Sequence, residues 1–320
     1  MTRPIDVAMV ADRPDKAFLR GRWIDLVVGS EGGSDDRPLY VTMCGAEGHE
    51  IRMLQEAGVL ETSENGAISD SSQVVAVEAN AQAVLALQRQ YPGLRILEED
   101  FSSILSGPGI EAWPRKKEWK AVCAADIINL DFQGPLTAGL GDSDLIFRDL
   151  QLVFKLLHFH RVAGVESWRL FLTFCARITW DDATCEAVAR YLRDNFEFSE
   201  AFKEACRLSC GEAVVDVVES GSSVAISELG EEDVQRLLMM VVPKKISRLA
   251  VEDGWSVRTE WNSRYGHGAS GDRMPMVSWG FEFRRDQAAS TEPHRAYATA
   301  LNGVFEQVEE LLDTGEVVAG

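Results

Sequence analysis

Residues 39–61, LYVTMCGAEGHEIRMLQEAGVLE, decide how the rest of the chain is read. Leu39 to Cys44 is a short apolar, β-branched run that stops at Gly45, as a strand buried on both faces does. Helical periodicity follows in HEIRMLQEAGVLE. A buried strand, a glycine turn and a helix in that order make half of a strand–helix–strand unit.

The same unit recurs downstream. After a polar loop at 61–72, Gln73 to Val77 gives a second strand ending on Glu78, and AQAVLALQRQY gives a helix that stops before Pro92-Gly93. Leu94 to Leu97 is a third strand, leading into Glu98-Glu99-Asp100. A loop rich in Gly, Pro and charge occupies 102–118, and Lys120 to Leu130 reads as a fourth strand ending on Asp131. Residues 144–160 read as a helix and Trp168 to Phe174 as a fifth strand. Such alternation predicts parallel strands joined by right-handed helical crossovers, hence a doubly wound α/β sheet.

Upstream, 15–29 has the spacing of a helix, within an N-terminal extension over 1–36. Residues 181–242 change character and read as a mainly helical insertion, with one β-like segment, AVVDVVES at 213–220. Two aromatic, β-branched runs, 255–261 and 275–283, then pair most simply as an antiparallel hairpin. The sheet-forming core is thus expected over 37–180 and 243–290. A C-terminal helix, about 293–313, is expected within 291–320.

The bulk properties narrow the function. With 320 residues, 46% of them hydrophobic, the chain can bury a large core. No apolar run approaches the ~18 residues a membrane span needs, and the first residues, MTRPIDVAMVADRPDK, lack a leader's apolar stretch. A cytoplasmic location with no membrane partner is expected. The net charge of −19 repels polyanions at long range, so a nucleic-acid partner is possible but not favoured. The six cysteines, at 44, 123, 175, 185, 206 and 210, form no CxxC pair. They read as buried hydrophobes, and no metal site is expected.

Ligands of open α/β sheets bind outside the carboxyl ends of the strands. The first strand ends in Cys44-Gly45-Ala46-Glu47-Gly48-His49, whose glycines let a backbone approach a ligand before a helix begins. Glu78, followed by Ala79, has two oxygens that could accept from both hydroxyls of a ribose. It reads equally as an acid at a helix N-terminus. Asp100 could accept from an adenine amino group, with Phe101 beside the base. The fourth strand ends in Asn129-Leu130-Asp131-Phe132-Gln133-Gly134-Pro135, where Asp131 is either a proton acceptor or the cap of a turn at 132–135.

A glycine loop, an acid after strand two, an acid after strand three and an Asp/Asn motif after strand four resemble the class I S-adenosylmethionine-dependent methyltransferases. The resemblance covers roughly 38–175 and 250–285. It implies a Rossmann-like sheet with a C-terminal antiparallel hairpin and a helical insertion. It further implies S-adenosylmethionine as cofactor, with Cys44, Gly45 and Gly48 bordering its methionine part and Glu78 with Ala79 at the ribose. Asp100 and Phe101 would hold the adenine, and Asn129 would line the site. Asp131 and Phe132 would face the methyl group and an unknown acceptor: nucleic acid, protein or small molecule.

The sequence departs from the family pattern where Ala46-Glu47 replaces the middle of G-x-G-x-G, and where 33 positions separate Gly45 from Glu78. Two alternatives therefore stand beside the enzyme. One is a catalytically inactive module of the same shape that binds a partner or nucleotide, with 181–242 as a protein-partner surface. The other is a nicotinamide-dependent oxidoreductase, against which the missing GxGxxG counts.

Overall fold

The computed structural model describes residues 14–29, 38–69, 73–101, 122, 124–135, 150–176, 182–266, 274–286, 308–312 and 317–319. The chain divides into two compact units, Met1–Asp131 with Leu311–Glu316, and Phe132–Glu310 with Val317–Gly320.

The first unit contains α1 (Pro14–Gly29), β1 (Tyr40–Thr42), α2 (His49–Glu56), β2 (Val74–Val77), α3 (Ala81–Gln90), β3 (Arg95–Leu97) and the start of β4 (Ile127–Pro135). Its strand order is β3-β2-β1-β4, with parallel pairing throughout. Tyr40, Val41 and Thr42 face Val74, Val75 and Ala76 on one side, and Ile127, Ile128 and Asn129 on the other. Because β1 is central, all three of its residues are buried, which is why it reads as an unbroken run. Helix α1 buries Leu19, Trp23 and Val27, four residues apart along one stripe, and packs against α2.

The second unit holds the end of β4, then α4 (Leu150–Ala163), β5 (Ser167–Cys175), α5 (Asp182–Phe198), α6 (Glu200–Cys210), α7 (Glu212–Ser220), α8 (Ser223–Ser227) and α9 (Glu231–Glu252). The strands β6 (Trp255–Tyr265), β7 (Met276–Arg285), β8 (Val308–Leu311) and β9 (Val317–Ala319) follow. The order is β4-β5-β7-β6-β8-β9, and β7 runs antiparallel to both β5 and β6. Gly280 is required here, since a Cβ on it would lie 2.3 Å from Cζ3 of Trp261. The fold is thus α/β, Rossmann-like, with a mostly parallel sheet and the expected antiparallel hairpin.

Four expectations are corrected. Strand β4 starts at Ile127 and runs through Asp131 to Pro135, so 132–135 is extended chain and not a turn. Segment 213–220 is helical, within α7: Val214, Val215 and Val218 are buried at helical spacing, and glycines with positive φ, Gly211 and Gly221, bound the helix. The helical stretch does not end at 242, because α9 continues to Glu252. Residues 308–311 and 317–319 are strands where a C-terminal helix was expected; 293–307 lie outside the described residues. Short runs with β-branched or apolar residues fit either state, and sheet edges decide them through tertiary pairing. Among the described residues no helix is long and apolar enough to cross a membrane.

Candidate functional site at the carboxyl end of the central strand

In the order β3-β2-β1-β4 the chain leaves β1 toward β2 on one side and reaches β4 on the other. The carboxyl end of β1 and the stretch of β4 through Asp131 thus flank a topological switch point, where ligands of such sheets bind. The loop 45–48 leaves β1 there, and its two glycines do different work. Gly45 has φ 63°, and a Cβ on it would meet no atom within 4 Å. Gly48 has φ 55°, but its Cβ would lie 2.5 Å from Cε2 of Tyr91 and 2.9 Å from Cδ2 of Leu87. The Tyr91 hydroxyl donates to the Gly48 carbonyl at 3.0 Å. Gly48 is a packing glycine that brings the N-terminus of α2 against Leu87 and Tyr91, whereas a side chain at Gly45 would meet open space.

Behind the loop lies a buried polar cluster. Glu50, 2% exposed in the first turn of α2, accepts from the Tyr40 hydroxyl (3.1 Å), the Thr42 hydroxyl and Nδ2 of Asn129 (3.1 Å). Tyr40 and Thr42 reach it together because alternate strand residues share a face. Burial pushes the Glu50 carboxyl above its ordinary range, with the Thr42 hydrogen bond pulling the other way. Asn129 is fully buried, and its Oδ1 has no hydrogen-bond partner. Cys44, half-buried, has its thiol pushed well up by burial and by the charges of Glu50 and Glu78.

Helix α1 reaches the same place. Lys16 Nζ lies 2.5 Å from Asp131 Oδ1, with both side chains under 10% exposed. Burial lowers the Lys16 pKa, Asp131 opposes that, and Arg20 adds to it. Thr42, the last residue of β1, pairs with Asn129 in register, and Asp131 follows two residues further along β4.

The remaining expected residues separate into two groups. Glu78 follows β2 and is half-buried; its Oε1 accepts from the Asn80 N–H at 2.8 Å, which leaves Oε2 for a further donor. The helix-capping role belongs instead to Asn80, which accepts from the N–H groups of Gln82 and Ala83. Ala79 and Asp100 are exposed. Phe101 is 1% exposed, so its ring belongs to the core and has no free face. Asp131 and Phe132 are neighbours on an extended strand, where successive side chains point to opposite faces. Phe132 stacks on Phe174 with centroids 4.9 Å apart. These two residues do not present a common surface.

Sequence reading missed Lys16, Glu50, Tyr40 and Thr42. A polar residue at every second position of an otherwise apolar strand, Tyr40 and Thr42, was the available signal for a buried partner. Nothing local marks Lys16, whose partner is 115 positions away. Among the described residues no group of His, Cys, Asp and Glu is placed to hold a metal ion. Compared with known proteins, the chain matches no family model and no curated relative.

Proposed function

We propose that this chain is an S-adenosylmethionine-dependent methyltransferase, with the cofactor bound where β1, β2 and β4 end. The observation that carries the reading is Gly45: an open, left-handed backbone position at the end of the central parallel strand. A free Glu78 oxygen one strand away fits a ribose hydroxyl, and the unpartnered Asn129 Oδ1 offers an acceptor nearby. Gly45 and Cys44 would border the methionine part, Glu78 the ribose and Asp100 the adenine. The antiparallel β7 between β5 and β6 favours this family over nicotinamide enzymes.

The bound cofactor supplies an activated methyl group with a good leaving group. The chain's own part is then to orient and desolvate an acceptor and to take its proton. Asp131, two residues beyond the Thr42–Asn129 pair, is the carboxylate we assign to that proton.

A second reading, binding without turnover, draws support from the same residue. Asp131 is already held by Lys16, and Phe101 is covered. Calorimetric titration with S-adenosylmethionine and S-adenosylhomocysteine tests the proposal. Micromolar binding that weakens at least tenfold in Glu78→Ala, about 1.4 kcal/mol, is the expected result. Failure of the folded wild-type chain to bind either ligand contradicts it.

A further inference from the structure

We propose that Lys16 is itself a methyl acceptor, modified by this chain's own site. The inference rests on the methyltransferase reading and adds to it an acceptor of defined chemistry, a primary amine supplied by α1. Its geometric basis is the 2.5 Å contact of Lys16 Nζ with Asp131 Oδ1, two residues beyond Asn129, whose partner in register is Thr42 at the end of β1. An alkyl amine attacks only when unprotonated. Two features of this site favour that form: burial, which disfavours the ammonium ion, and the nearby guanidinium of Arg20. Asp131 lies where the departing proton must go. Its charge by itself favours the ammonium, and it serves the reaction as the acceptor of that proton.

The Trp23 ring, 5.2 Å from Nζ, positions the nitrogen; like the charge of Glu50 it favours the ammonium ion, from which Asp131 must take a proton before attack. Positioning of this kind replaces a bimolecular encounter with an intramolecular one. Asp131 takes a proton from Nζ, and the nitrogen lone pair forms a bond to the methyl carbon. The carbon–sulfur bond breaks with its electrons going to sulfur, giving S-adenosylhomocysteine and Nζ-methyl-Lys16. No oxidant or metal is needed.

The test uses the full chain and two readouts. Peptide mass spectrometry of the wild type, as purified and after incubation with trideuteromethyl-labelled S-adenosylmethionine, should find a methyl or trideuteromethyl group on Lys16. Asp131→Asn should slow its appearance at least tenfold. By calorimetry, Lys16→Met leaves the Asp131 carboxylate beside the sulfonium without its Nζ donor, so affinity for S-adenosylmethionine should rise relative to S-adenosylhomocysteine by threefold or more. Ligand binding with Lys16 unmodified in every wild-type sample overturns this inference and leaves the methyltransferase reading intact. An unchanged affinity ratio in a folded Lys16→Met chain likewise removes Nζ from the site. Absence of binding by either ligand overturns the function and this inference together.

Discussion

The two units use charge in opposite ways. In the first, Lys16 and Asp131 form a pair withdrawn from water, beside a buried Glu50. In the second, Arg169 and Arg258 reach Glu282 across the antiparallel strands, both also meet Glu260, and Arg284 meets Glu282 along β7, with Arg258 and Arg284 about two-thirds exposed. There the two carboxylates shift in opposite directions. Burial pushes Glu260 up against the pull of Arg169 and Arg258. Burial also pushes on Glu282, but the guanidiniums of Arg284 and Arg258 outweigh it and hold that carboxyl down. The ladder's carboxylates are as withdrawn from water as Asp131, but Arg258 and Arg284 stay largely hydrated, so their side of the pairing costs little to desolvate. A buried pair is expensive to desolvate, and its retention at a switch point argues for a role beyond stability.

The largest expected effect follows from breaking the buried pair. Lys16→Met leaves Asp131 buried and uncompensated, and should lower stability by about 3–5 kcal/mol in denaturant unfolding. The two glycines come next. Gly45→Ala meets only the backbone penalty of a positive φ, roughly 1 kcal/mol. Gly48→Ala adds overlap with Tyr91 and Leu87, about 1–3 kcal/mol more. Equal losses in the two variants would erase the distinction between an open and a packing glycine.

Glu50 gives a pH signature. Its folded pKa lies above its unfolded one, so the folded chain binds the extra proton between those two values. Stability from this group is therefore level below the ordinary value of 4.5, and falls as pH rises from there through the raised folded value. Glu50→Gln lacks this slope. Unfolding midpoints from pH 5 to 8 should move in the variant's favour as pH rises, by about 1.4 kcal/mol for each unit of upward shift. A constant difference across that range would place no titration at Glu50. The smallest effect belongs to the ladder: Arg258→Met should cost no more than about 1 kcal/mol, and less in high salt.

Much of the fold was legible because the parallel strands are buried on both faces and announce themselves as unbroken apolar runs, Tyr40–Thr42 and Val74–Val77 above all. The hairpin was legible from its aromatic, β-branched strands. Elements without such a signature were misread. VVDVV at 214–218 fits a strand by propensity, and its helix follows from flanking glycines and packing. The site was legible only in outline. Gly45 and Gly48 look alike in sequence, and only the position of Tyr91 separates their roles. Asp131 read as the end of a strand because the sequence does not mark where pairing stops. Its partner Lys16 lies 115 positions earlier, on a helix whose polar positions look like surface.

The central claim is that the open backbone at Gly45 receives the cofactor. Its most direct test is the affinity of S-adenosylhomocysteine for the wild type and for Gly45→Ala, with folding of both confirmed by thermal melting. The account predicts micromolar binding by the wild type and at least a tenfold loss when a methyl group is added at Gly45. Equal affinity in the two chains, or no binding by a folded wild type, would contradict it.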